Sequence, residues 1–118
     1  MLVLPIKKQW FDMIVNGEKK EEYRELKPYY HKRLGNYFIN HVIDSNTKKV
    51  LRKMNAAAKE IIFRNGYSYN SPSVRCLCIL NIGSGKTEWG ADPNKEYYIL
   101  SILKVEEVRN MRTNELKK

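Results

Sequence analysis

Gly17-Glu18-Lys19-Lys20-Glu21-Glu22-Tyr23-Arg24 places three carboxylates, three cations and a tyrosine directly behind a glycine. The segment before it, Lys7 to Asn16, carries Trp10, Phe11, Ile14 and Val15 at helical spacing, and Gly17 is placed to end that helix. The charged run then reads as an extended strand. Alternation along it puts Lys20, Glu22 and Arg24 on one face. A cation–anion–cation row pairs internally and still leaves guanidinium donors for a polar or phosphate-bearing ligand. The plainer reading of the same row is a charged edge strand that blocks aggregation.

Working outward, Leu2 to Leu4 reads as a short apolar strand ended by Pro5. Lys27-Pro28 stops the charged strand and opens a short helix from Pro28 to Leu34. Asp44-Ser45-Asn46 offers capping side chains for a second long helix running to about Lys59. Its apolar stripe is Val50, Leu51, Met54 and Ala58, and Lys48, Lys49, Arg52 and Lys53 fall largely off the stripe as a basic surface. Ile61 to Phe63 begins a strand that Asn65-Gly66 turns. Val74 to Ile82 and Tyr97 to Val105 are long apolar runs, read as buried strands, and the residues from Arg109 onward read as a polar, fraying end. Short strands with helices inserted between them predict an α+β fold or a small mixed barrel. No repeat or linker divides the chain.

At 118 residues the chain is one domain with enough length to bury a core. Its formal net charge is +9, which favours negatively charged partners, nucleic acid first. No apolar run approaches membrane-spanning length, and Met1-Leu-Val-Leu-Pro5 is too short for a signal peptide. Cys76 and Cys78 lie two apart in a strand, so they share a face and make a poor disulfide. A reduced, cytoplasmic setting is the simplest expectation. Neither these cysteines nor His31 and His41 have the paired short spacing of a structural metal site, so no metal or cofactor is expected.

Gly83-Ser84-Gly85-Lys86-Thr87 looks like the end of a phosphate loop, but the position that needs the first glycine is Leu80. Gly90 and Pro93 also follow too closely for the helix that would cradle phosphates. Aromatics interleave with cations at Lys27-Pro-Tyr-Tyr-His-Lys-Arg33 and at Phe63-Arg-Asn-Gly-Tyr-Ser-Tyr69, the composition that grips single-stranded nucleic acid. Tyr30, Arg64 and Tyr67 are the candidates there, while Trp10 and Phe11 are assigned to the core. Trp89, in the connection between two buried strands, either lids the core or stacks a ligand ring.

Gly17-x-Lys19-x-x-Glu22-x-Arg24 behind Trp10-Phe11, together with Phe63-Arg-Asn-Gly-Tyr67 and Gly83-x-Gly85-x-x-Glu88-Trp89-Gly90-Ala91, resembles the ASCH domain family of the PUA-like superfamily, in its small single-domain branch. The resemblance covers nearly the whole chain except a helical insertion over about residues 36–58. It implies a PUA-like β-barrel of about six strands with peripheral helices and a cleft for RNA or a nucleotide-like ligand. It further implies that Lys19, Glu22 and Arg24 face that cleft. Alternation instead selects Lys20, unless the chain bends just after Gly17. Some relatives resemble amidohydrolases that deacetylate acetylcytidine with a lysine, a threonine and a glutamate. Lys19 matches the lysine, Glu22 stands where the threonine would be, and Glu88 falls in the interval of the distal glutamate. The expectations are therefore an RNA- or nucleotide-binding module, then a small hydrolase (an amidohydrolase on acetylated cytidine, or a ribonuclease) using Lys19, Glu22 and Glu88, and last a protein-interaction domain.

Overall fold

The structure, a computed structural model, describes residues 1–38, 40–43, 50–53 and 58–111, with backbone alone for 40–43 and 50–53. In chain order its elements are β1 (Leu2–Pro5), α1 (Lys8–Val15), β2 (Glu21–Glu25), α2 (Pro28–Phe38), β3 (Asn40–Ile43), β4 (Val50–Lys53), β5 (Lys59–Arg64), β6 (Ser73–Ser84) and β7 (Glu96–Arg109). A 3-10 turn, Thr87–Trp89, joins the last two strands.

The branched and aromatic runs pair as a sheet in the order β1-β5-β6-β7-β2. β1 runs parallel to β5, and the other pairings are antiparallel. β6 and β7 form a long ribbon whose register shifts between Arg75 and Cys76 and again between Leu77 and Cys78. Such irregularities bend a ribbon and increase its twist. The sheet curls into a half-barrel, and its inner face carries Leu4, Ile61, Phe63, Val74, Cys76, Cys78 and Leu100. Helix α1 adds Phe11 and Ile14 to this core, and α2 adds Leu34 and Phe38.

β1 and β2 are the two edges of the sheet. The Ile6 amide bonds to Arg64 O of β5, so by alternation the carbonyls of Val3 and Pro5 face the open side. Both are met by guanidinium groups. Arg33 of α2 donates to Val3 O at 2.9 Å, and Arg24 of β2 donates to Pro5 O at 2.7 Å. Pro5 has no N–H to offer a further strand. The seam of the half-barrel is thus bridged by side chains and by α2.

The two cysteines are fully buried on the inner face and free, as the alternation predicted. Burial pushes the Cys76 thiol up to about 12 and the Cys78 thiol higher still, so both act as small apolar side chains. Among the described residues no helix is long and apolar enough to cross a membrane.

Two expectations change. Among the described residues of its span the second long helix does not form: Val50–Lys53 pairs with Asn40–Ile43 as an antiparallel hairpin, and Lys59 opens β5. Val42, Ile43 and Val50 are β-branched, and this chemistry favours pleated backbone over helix. The capping trio 44–46 lies outside the described residues, as do Lys48 and Lys49. Among the described residues the sheet holds five strands, with β3 and β4 forming a separate pair, which agrees with a small α+β barrel-like fold. Finally, α2 runs to Phe38 and β7 to Arg109, both further than the sequence suggested, because Phe38 and Val108 reach the core.

Candidate functional site

The bend after Gly17 decides which lysine turns inward. Gly17 adopts φ +87°, a left-handed conformation that costs a glycine little. The chain then folds back so that the Lys19 amide bonds to Met13 O at 2.9 Å, while the Lys20 carbonyl accepts from the Ile102 amide at 2.8 Å. Lys19 is consequently buried and Lys20 is exposed. Alternation alone, which selected Lys20, is overturned by this turn. From Glu21 onward β2 alternates regularly, with Glu22 and Arg24 buried.

Lys19, Glu22 and Arg24 form one chain of contacts. The Lys19 ammonium lies 3.2 Å from Glu22 Oε1 and donates to Trp89 O. It also sits over the rings of Trp10 at 4.8 Å and Tyr23 at 4.9 Å. Glu22 Oε2 accepts from Arg24 Nη2 at 2.6 Å. Arg24 Nη2 also holds Pro5 O, and Nη1 reaches the Tyr30 hydroxyl at 3.4 Å. Arg24 Nε is buried with no hydrogen-bond partner. Two cations share one carboxylate, so the cluster carries a net positive charge in a place where burying ions is costly.

Burial lowers the Lys19 pKa from the ordinary 10.5, and the Glu22 carboxylate only partly opposes that shift. Lys19 therefore binds its proton less tightly in the folded chain than in the unfolded one. Between the lowered value and 10.5 the unfolded chain holds more protons, so Lys19's contribution makes folding more favourable as pH rises. Lys19→Met removes this term. The stability of wild type relative to Lys19→Met should rise as pH climbs from 7 toward 10.5. Urea midpoints for both proteins across that range measure it, and a gap independent of pH would contradict the assignment.

The loop above the cluster is fixed by Tyr23. Its hydroxyl donates to Glu21 Oε1 at 2.8 Å and accepts from the Lys86 amide at 2.9 Å. Burial raises the Tyr23 pKa and keeps that hydroxyl protonated. The turn Thr87–Trp89 then ends on Gly90 at φ +101°, where a Cβ would come within 2.9 Å of Trp10 Cζ2. Glycine is required there both by its conformation and by the closeness of the indole.

Above the cluster opens a cleft of about 400 Å³. Glu22 and Arg24 form its floor, Trp10, Tyr30 and Trp89 its walls, and the exposed Lys7, Glu25 and Lys27 its rim. Lys19 lies beneath the floor. Glu88 is exposed on the 3-10 turn and does not line the cleft. Tyr67 is 97% exposed beside a neighbouring hollow that shares Pro5, Ile6 and Lys7 with the cleft. Arg64 lines a different hollow. Arg52 and Lys53 lie in β4, where only backbone is described, and Lys48 and Lys49 fall outside the described residues.

Comparison with family models, with curated proteins and with solved structures finds no match to this chain.

Sequence reasoning missed Lys7 and the wall role of Trp10, and it placed Lys27 in a cation–aromatic segment without singling it out. Trp10 packs on the core and also faces the cleft, and helical spacing reports only the first. Gly90, which the indole requires, was the available signal. No group of three or more His, Cys, Asp or Glu side chains that could hold a metal ion occurs among the described residues.

Proposed function

We propose that this chain is an RNA- or nucleotide-binding module of the ASCH type, a cytoplasmic protein with a PUA-like barrel, whose ligand sits in the cleft over Glu22 and Arg24. The observation that carries the reading is the combination of a buried, net-positive ionic floor with aromatic walls and a rim that carries two lysines. A planar heterocycle fits between Trp10, Tyr30 and Trp89, because ring faces stack on bases of any sequence. Arg24 Nε, buried and unpartnered, supplies a donor that such a ligand satisfies. Lys7 and Lys27 stand where a phosphate would leave the cleft, and the +9 charge favours its approach.

Trp10 and Trp89 are the chain's two tryptophans and both line the cleft, so tryptophan emission reports this site. Titration with cytidine monophosphate and short single-stranded RNAs should change that emission. RNA affinity should fall with salt at a log–log slope of about −0.7 per phosphate contacted. Emission unchanged by every ligand at low salt would refute the reading.

A second reading, a small hydrolase of modified nucleosides or RNA, is favoured by the lowered Lys19 pKa beside a carboxylate that reaches the cleft. Acetylcytidine turned over by wild type but not by Glu22→Gln would move this reading ahead.

A further inference from the structure

On the convex face of the sheet, away from the cleft, three strands bring Arg64, Ser73 and Arg109 into one row. Arg64 pairs with Ser73 across β5 and β6, and Ser73 pairs with Arg109 across β6 and β7. Their inward neighbours Phe63, Val74 and Val108 belong to the core, so these three side chains stand on the outer face. Two strand spacings separate the arginines by about 10 Å at Cα, with the short serine between them. The result is a hollow of about 420 Å³ lined by Ser73, by Arg64, Arg109 and Arg75, by the Glu107 carboxylate, and by Tyr69 and Asn110.

The carboxylates of this face are already engaged on Arg75 and Arg109. Arg75 meets Glu60 at 3.1 Å, Glu106 at 3.8 Å and Glu107 at 3.3 Å. Arg109 holds Glu107 through Nε at 2.7 Å, which leaves Nη1 for another acceptor. Arg64 is half-buried, and its guanidinium has no ionic partner among the described residues. Glu60 stands four residues from Arg64 along β5, about 13 Å, further than the screening length at physiological salt. Glu60 is therefore screened from Arg64, while Glu107 lines the hollow and is held there by Arg75 and Arg109.

We infer that this hollow is a second ligand site, distinct from the cleft, which takes a phosphate monoester on Arg64, Arg109 and Ser73. Three donor groups line it, the Arg64 fork, the remaining Arg109 N–H groups and the Ser73 hydroxyl, and Arg75 and Arg109 offset the one carboxylate among them, Glu107. The three donor groups match the three terminal oxygens of a phosphate monoester, whereas a carboxylate offers two. The exposed ring of Tyr69, 84% accessible at the rim, gives a base or sugar attached to that phosphate a surface to pack on. The phosphate can belong to a free mononucleotide or to the 5′ end of a strand.

The test is amide chemical-shift titration of the full chain with adenosine monophosphate, adenosine and inorganic phosphate, and with a trinucleotide with and without a 5′-phosphate. Adenosine monophosphate should shift Tyr69, Ser73 and Asn110, and inorganic phosphate should shift the same residues more weakly. Adenosine should leave them in place. Arg64→Gln should weaken binding at least tenfold, and Ser73→Asp, which puts a carboxylate in the phosphate's place, should abolish it. Lys104→Gln, at an exposed lysine that lines neither the cleft nor this hollow, should leave these shifts unchanged. A phosphorylated trinucleotide binding tenfold tighter than the mononucleotide assigns the site to strand ends, and equal affinities assign it to free mononucleotides. No shift at millimolar adenosine monophosphate, equal response to adenosine, or full binding by Arg64→Gln would overturn the inference.

Discussion

Glu22→Ala should destabilise the chain by about 3–5 kcal/mol, as expected when one partner of a buried ionic cluster is removed. Glu22 is only 6% exposed and is the carboxylate that both Lys19 and Arg24 use. Its loss leaves two buried cations facing one another with nothing between them. Glu22→Gln keeps the shape and one acceptor, so it should cost less, though the excess positive charge remains. Equilibrium unfolding in urea measures both. A Glu22→Ala loss below about 1 kcal/mol would mean that water reaches these ions and screens them as at a surface.

Arg24→Ala should lower stability by about 2–4 kcal/mol and weaken ligand binding in the cleft by a further 1–3 kcal/mol, from the loss of charge-assisted hydrogen bonds in a buried setting. The stability loss arises because Arg24 bonds at once to Glu22, Pro5 O and Tyr30. The binding loss arises because its guanidinium forms part of the cleft floor. Arg24→Lys restores the charge but not the planar fork, so it should recover part of the stability and little of the bridge to Pro5. Unfolding curves and tryptophan titrations separate the two effects. Wild-type stability in Arg24→Ala would show that the seam closes without this side chain.

Much of the sheet was legible because its strands are long, apolar and bounded by turn residues. Val74 to Ile82 and Tyr97 to Val105 lie wholly within β6 and β7. Helix α1 was legible because Trp10, Phe11, Ile14 and Val15 keep strict helical spacing and Gly17 follows at once. The region from 45 to 59 misled because Val50, Leu51, Met54 and Ala58 satisfy a helical stripe, while the short hairpin of β3 and β4 depends on a pairing that no local pattern announces. At the site, Glu22 and Arg24 were legible from alternation. The choice between Lys19 and Lys20 was not, because it rests on a bond from the Lys19 amide back to Met13 O. Glu88 and Trp89 are adjacent in sequence, yet the tight turn sends Trp89 to the cleft wall and Glu88 into solvent.

Arg24 is at once the clasp between the sheet's two edges and the floor of the cleft, so the two roles are energetically coupled. A ligand that takes only the unpartnered Nε leaves Nη2 on Pro5 O, and its binding and the closure of the seam reinforce each other. A ligand that competes for Nη2 must instead open the seam. Reciprocity then requires that any change tightening the contact between β1 and β2 strengthen the first kind of ligand and weaken the second by the same factor that each ligand exerts on the seam. Ligands of equal size and charge that entered this cleft would therefore be told apart by which nitrogen of one arginine they engage.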